Sequence, residues 1–291
     1  MDEREPLAEP FEENRAHLRG VAFRMLGSLS EAEDAVQEAW LRLHRSDTSD
    51  VENLRGWLTT VVARVCLDML RSRKARSEAA LDADVPEPVA SREKGGDPEH
   101  EALLADPVGL ALLVVLDRLA PAERLAFVLH DLFDLSFDEI APIVGRSPVA
   151  ARQLASRARR RVQGGPVRGA DLTPQRGLID AFLAALRAGD FEGLVAVLDP
   201  EVVVRADKFV AAGRAATEVR GAQAWARQAV VYSRGARFVQ PALIDGAVGL
   251  VLAPRGRLLR VLTFTIEDGK IVGVEIIGDP ERLRELDLAV L

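Results

Sequence analysis

The stretch Leu135–Gln163, reading LSFDEIAPIVGRSPVAARQLASRARRRVQ, constrains the chain more than any other. Ser136 followed three residues later by Glu139 is a capping box, which predicts a helix starting at Phe137. Gly145 can take the left-handed conformation that ends that helix. Ser147 then offers an N-cap oxygen, and Pro148 stands where a missing N–H costs nothing. Helix, glycine turn and capped helix make a helix-turn-helix. From Arg146 to Arg161 there are six arginines (146, 152, 157, 159, 160, 161) and no acid, whereas Asp131, Asp134, Asp138 and Glu139 lie just upstream. A chain of formal net charge −7 that gathers arginine on one helix builds a local anion-binding surface. Phosphate backbone is the usual target of such a surface. The alternative is a solvated basic helix without that role; the turn and the two caps favour DNA binding.

Composition sets outer limits. A chain of 291 residues has room for two or three domains, and 48% hydrophobic residues suffice for packed cores. No apolar run approaches the roughly 20 residues of a membrane span. The acidic start MDEREPLAEPFEENR lacks the basic and apolar parts of a signal peptide. Cys66 is the single cysteine, and the histidines at 17, 44, 100 and 130 have no ligand spacing. These features predict a cytoplasmic protein with no metal site, no cofactor and no membrane association.

The first hundred residues read as helices. Leu18, Val21, Ala22 and Met25 form one apolar stripe within Phe11–Leu26, which Gly27–Ser28 interrupts. Ser30 and Glu33 match a second capping box, opening a helix to about His44 with Val36, Ala39, Trp40 and Leu43 inward. Asp34, Gln37 and Glu38 project together from its other face, either as a site or as an ordinary solvated surface. Asn53–Arg71 is a third helix, with Leu54, Trp57, Leu58, Val61 and Val65 as core. Arg64, Asp68 and Arg71 share the opposite face at spacing suited to salt bridges, and Arg73, Lys74 and Arg76 extend its basic character.

EAEDAVQEAWLRLH, then ENLRGWLTTVVARVCLDMLRSRKAR, then the helix-turn-helix, together resemble the sigma-70 family in order across Phe11–Gln163. Within it the chain is most similar to the extracytoplasmic-function (ECF) sigma factors, promoter-specificity subunits of RNA polymerase. The resemblance implies that Asp34, Gln37 and Glu38 dock on the clamp helices of the polymerase β′ subunit. It places Asn53, Arg64, Asp68, Arg71, Arg73 and Lys74 at the −10 element of promoter DNA, and the loop Ser46–Asn53 where a flipped base is captured. Flipping costs a few kcal/mol, which a fitted pocket and backbone contacts offset. It places Arg146, Arg152, Gln153, Ser156, Arg157 and Arg160 at the −35 element, with the second helix in the major groove and the β flap as polymerase partner. Arg152, Gln153 and Ser156 are the expected base readers, and later arginines the phosphate contacts. Val65 stands where many members have asparagine, and Pro142 inside the first helix is unusual.

The implied organisation is sigma region 2 at residues 8–76, an acidic linker at 77–107, and sigma region 4 at 108–163. A short linker at 164–173 and a third domain at 174–291 complete it. In region 4, Val108–Leu119 and Pro121–Phe133 are expected as helices beneath the helix-turn-helix. The third domain changes pattern. Helices at Pro174–Ala188, Phe191–Leu198 and Gly221–Ser233 are expected with strands near Glu201–Arg205, Arg237–Ile244, Ala247–Ala253, Leu258–Glu267 and Lys270–Ile277. The Glu267-Asp268-Gly269-Lys270 junction is a hairpin signal. Helices followed by an antiparallel meander make an α+β layout, so the chain as a whole is two all-α domains followed by one α+β domain.

The segment AFLAALRAGDFEGLVAVLDPEVVV resembles SnoaL-like members of the cone-shaped NTF2-like superfamily. ECF sigma factors carrying such an extension form a SigJ-like subgroup, in which the extension tunes sigma activity. The resemblance marks Asp207, Lys208, Tyr232 and Asp279 as regulatory pocket or contact residues and implies a small-molecule ligand as a candidate partner. Glu218 and Arg220 are further pocket candidates. No acid–base pair can be assigned there, so no enzyme activity is expected. Two other readings are a helix-turn-helix regulator that never touches polymerase and a DNA-tethered isomerase or cyclase.

Overall fold

The computed structural model describes residues 5–46, 51–79, 107–164, 172–210 and 216–291. The chain divides into two compact units, Met1–His100 with Leu116–Arg159, and Glu101–Val115 with Arg160–Leu291. The expected linker at 77–107 and the segment DVPEPV fall almost wholly outside the described residues.

In the first unit, α1 (Glu5–Leu26), α2 (Leu29–Leu43) and α3 (Leu54–Ala79) pack pairwise into a three-helix bundle. Leu18, Val21, Ala22 and Met25 of α1 are fully buried, as are Val36, Ala39 and Leu43 of α2 and Leu58, Val62 and Cys66 of α3. Trp40, expected inward, is only half-buried and stacks between Phe11 and His44. Burial pushes the Cys66 thiol up to about 12, which leaves it unreactive at neutral pH. The start of α2 differs from expectation. Gly27 turns the chain at φ 74°, leaving Ser28 extended, and it is Ser28 that accepts the Glu31 N–H. Glu33 reaches back to Arg15 and Arg19 on α1 instead of capping Ser30. Asn53 caps α3 by accepting the Gly56 N–H at 2.9 Å.

Downstream lie α4 (Pro107–Asp117), α5 (Pro121–Phe127), α6 (Phe137–Val144) and α7 (Pro148–Gln163), with α4 and α7 each running across the division between the units. The helix expected to Phe133 changes to a π-helical turn at Val128–Leu132. Widening the turn brings His130 Nδ1 to 2.9 Å from the Leu135 carbonyl, with Asp134 left-handed at φ 56°. The capping box on α6 forms in full: Glu139 accepts the Ser136 N–H at 2.8 Å, and Gly145 ends the helix at φ 70°. The Ser136 hydroxyl and backbone bonds hold the Glu139 carboxyl below its usual value. Pro142 sits on the exposed face of α6, where the hydrogen bond it removes leaves a carbonyl open to water, and the helix continues through it. Ala151, Ala155 and Ala158 of α7 are buried with Leu125, Val128, Leu129 and Ile140.

The second unit holds α8 (Thr173–Ala188), α9 (Phe191–Val197), β1 (Leu198–Ala206), β2 (Thr217–Arg220) and α10 (Ala222–Val231). After them come β3 (Val239–Ile244), β4 (Ala247–Leu252), β5 (Arg260–Glu267), β6 (Lys270–Ile277), α11 (Pro280–Glu285) and β7 (Leu288–Ala289). The sheet order is β2-β1-β6-β5-β4-β3-β7. Strands β3 to β6 form the expected antiparallel meander, and Asp268 and Gly269 turn it at φ 47° and 73°. The sheet is mixed, however, because β1 pairs with β6 in parallel, Val204 opposite Val274. A parallel partner needs a long crossover, which the intervening helix and hairpins supply. Ile179, Phe182, Leu183 and Leu186 of α8 join Trp225 and Ala226 of α10 and Val202, Val204, Leu250 and Val274 of the sheet in one core. Strands β2 and β7 and helix α11 were not foreseen; each is too short to show a period.

Candidate nucleic-acid interface

The end of α2 and the first half of α3 enclose a cleft of about 440 Å³ lined by Arg42, Arg45, Ser46, Trp57, Thr60, Val61 and Arg64. Three arginines, one indole and two hydroxyl-bearing side chains line it, a set that suits a base stacked on the aromatic ring with its phosphate near the cations. Glu38 accepts from Arg42 Nε at 3.0 Å and so holds one of these cations in place. Arg64 and Ser46, the first residue of the expected base-capture loop, are the sequence-predicted residues found in the cleft; Arg42, Arg45 and Thr60 were missed, and Trp57 and Val61 were read as core. Half-burial of Trp57 decides its role, and that is not a periodicity signal. Part of the expected base-capture loop, residues 47–50, lies outside the described residues. Asn53 is exposed with its carbonyl used as the α3 cap, which leaves its amide N–H groups for a partner.

Farther along α3, Arg71 pairs with Asp68 at 3.9 Å on the exposed face, and Lys74 is also exposed. Arg73 has partners within the protein. Its guanidinium reaches the end of α1, donating to the Leu26 carbonyl at 3.4 Å and pairing with the Glu31 carboxylate. The end of α1 exposes a carbonyl that a cation satisfies well, and this draws Arg73 away from the outer face. On α2, Asp34 and Gln37 are exposed and Glu38 is half-buried in its bond to Arg42. Leu41, 40% exposed, continues the same face and was not foreseen.

On α7 the outward residues are those expected. Arg146 before the helix, and Arg152, Gln153, Ser156 and Arg160 on it, are all exposed. The Arg152 guanidinium lies 5.2 Å from the Phe137 ring centre, which pins its direction. Arg157, expected at DNA, pairs instead with the buried Glu123 at 3.1 Å. Arg159 donates twice to Asp131, at 2.8 and 2.6 Å. Both acids would be costly to leave unpaired, so these two ion pairs help hold the helices together.

Residues 10–76 match the family described as Sigma-70 region 2, and residues 109–162 match Sigma-70, region 4. The ECF RNA polymerase sigma factor SigJ of Mycobacterium tuberculosis is 38% identical over 286 residues, spanning 94% of this chain and 91% of the relative. The chain belongs to the ECF sigma factors. A probable ECF sigma factor SigI of the same species is 36% identical over 294 residues and 98% of both chains. The crystal structure of SigJ is 35% identical, covers 94% of this chain and 97% of its own, and superposes with a TM-score of 0.46. No helix among the described residues of this sigma factor is long and apolar enough to cross a membrane.

The extension of this ECF sigma factor places its expected contact residues differently. Asp207 Oδ2 accepts the N–H groups of Gly278 and Asp279 at 2.7 and 2.8 Å, and Oδ1 those of Phe209 and Val210 at 3.0 Å. Burial alone would raise the Asp207 carboxyl, but these four backbone donors hold it below its usual value. Asp207 therefore staples the end of β1 to the start of α11, and Asp279 caps α11 by accepting the Glu281 N–H. Lys208 is exposed, its ammonium 5.1 Å from the Phe209 ring centre, and Tyr232 is 62% exposed at the end of α10. Glu218 joins Arg205 and Arg220 in an exposed ion-pair ladder.

Asp207→Asn should lower the stability of the extension by about 1–2 kcal/mol at pH 7, read from urea melts, because the amide turns an N–H toward backbone donors. A depressed folded value means that the carboxylate stabilises above about pH 4 and stops doing so as the pH falls through that value. The difference between wild type and variant should therefore shrink below about pH 4.

Proposed function

We propose that the chain directs promoter-specific initiation by core RNA polymerase in the cytoplasm, with no chemistry of its own. Region 2, residues 8–76, docks on the β′ clamp helices through Asp34, Gln37 and Glu38. It holds the unpaired −10 strand in the cleft of Arg42, Arg45, Trp57 and Arg64, while Asn53, Asp68, Arg71 and Lys74 contact the neighbouring strand. Region 4, residues 108–163, sits near the β flap and reads the −35 element through Arg152, Gln153 and Ser156, with Arg146 and Arg160 on phosphates. The linkers at 77–107 and 164–173 let the parts reach their sites, and the extension at 174–291 tunes the activity. The cleft carries this reading, because a half-buried indole in a cleft also lined by three arginines fits an unstacked base better than a duplex groove.

Arg64→Glu tests it. Transcription from a duplex promoter should fall at least tenfold, because one phosphate contact is lost and a repulsion introduced. Binding to core polymerase should stay within about twofold, and a template opened in advance at −10 should restore part of the loss. Unchanged transcription would discard the cleft as the strand-binding site.

A further inference from the structure

We propose that Val149 is a base-reading residue of α7, packing its methyl groups against the 5-methyl of a thymine in the −35 element. The inference rests on the reading of α7 as the −35 helix and adds to it a contact of a different chemical kind.

Val149 is 62% exposed, an apolar side chain near the exposed Arg146, Ser147, Pro148, Arg152 and Gln153. A lone exposed valine would need no explanation. Its place does. Val149, Gln153, Ser156 and Arg160 follow one another at helical spacing, so Val149 is the first member of the outward stripe, with Arg152 beside it. Recognition helices present their N-terminal residues to base edges, which puts the head of the stripe deepest in the groove. Folding does not ask for valine there. The buried face of the helix is Ala151, Ala155 and Ala158, and a β-branched residue is a weaker helix former than its alternatives. The start of the helix is held by the Ser147 side chain, which accepts the Ala150 N–H at 3.3 Å, so the direction of Val149 is set before DNA arrives. Its single preferred rotamer means that little freedom is lost on contact.

Thymine is the DNA base that carries a methyl group on its major-groove edge. An isopropyl group offers no hydrogen bond to the other bases and leaves their polar edges unsatisfied, so it both attracts thymine and penalises alternatives. Arg152 and Gln153 lie within one turn and can bond the polar edges of adjacent base pairs. Together they form a short reading register, in which Val149 contributes the apolar letter.

The test uses the full chain with core polymerase and the −35 sequence that wild type selects from a randomised library. Each thymine on either strand is replaced in turn by deoxyuridine, which lacks the methyl alone. At one position wild-type affinity should fall about fourfold, the worth of one buried methyl. V149S, checked by thermal melting for an intact fold, should bind thymine and uracil equally at that position, and V149T should keep part of the step. A wild-type step that survives in V149S, or indifference of wild type to every replacement, overturns the proposal. So does an affinity loss in V149S that is equal for thymine and uracil and matched by weaker core binding, which would put Val149 on the polymerase. If wild type selects no upstream sequence at all, it is the reading of α7 itself that fails.

Discussion

Arg124→Met is expected to destabilise the amino-terminal unit by about 2–4 kcal/mol, the largest loss of any single change considered. Arg124 is 2% exposed, yet it carries a charge. Its Nε and Nη2 donate to the Arg24 carbonyl at 3.2 and 3.1 Å, and Nη1 reaches Asp117 at 3.4 Å. Burial brings the guanidinium down to about 10, still well above neutral pH, so it remains charged in the folded protein. The acceptor is one of the last carbonyls of α1, where a helix presents unsatisfied groups and its negative end. Methionine fills similar volume but leaves that carbonyl buried and unpaired, which is where most of the cost arises. Asp117→Asn should cost far less, because Asp117 is half exposed and its bond is long. Urea melts of the unit with the two variants side by side check both statements. A loss under about 0.5 kcal/mol for the methionine variant would mean that water replaces the guanidinium at α1.

Asp34→Arg should weaken association with core polymerase about 100-fold while leaving free DNA affinity within about twofold. Asp34 and Gln37 are exposed on α2, whereas Glu38 already holds Arg42 at the cleft. Reversing Glu38 would set two arginines one turn apart and disturb the DNA side as well. Asp34 is therefore the position that separates docking from strand binding. Holoenzyme formation measured by size-exclusion chromatography, together with DNA binding by the isolated chain, gives the two readouts. A regulator acting without polymerase would show no change in either, and that outcome would sink the sigma-factor mechanism.

Local chemistry made much of the fold legible. The capping box at Ser136 and Glu139, the left-handed stop at Gly145 and the Asp268-Gly269 turn formed as read, because each involves groups a few residues apart. The buried stripes of α1 and α8 were visible for a similar reason, since helical period alone decides which residues share a face. The cap of α2 was misplaced by two residues because two serines compete there. What chooses Ser28 is the turn at Gly27 together with Glu33 pairing to another helix.

The candidate site was legible only in outline. Composition showed that the chain concentrates arginine on α3 and α7, and the motifs in order pointed to a sigma factor. Which arginines take a partner within the protein is decided by folding. Arg73, Arg157 and Arg159 were claimed by Glu31, Glu123 and Asp131, all distant in sequence, while Arg64 and Arg152 were left facing outward. The cleft likewise takes Arg42 and Arg45 from one helix end and Trp57 and Arg64 from another. The parallel pairing of β1 with β6 and the Asp207 staple are of the same kind. A sequence thus determines where a helix begins, which side is apolar and how much charge it carries. The partner of each charge is determined only in the tertiary structure, because electrostatic and hydrogen-bond energies depend on distances between atoms that folding alone brings together.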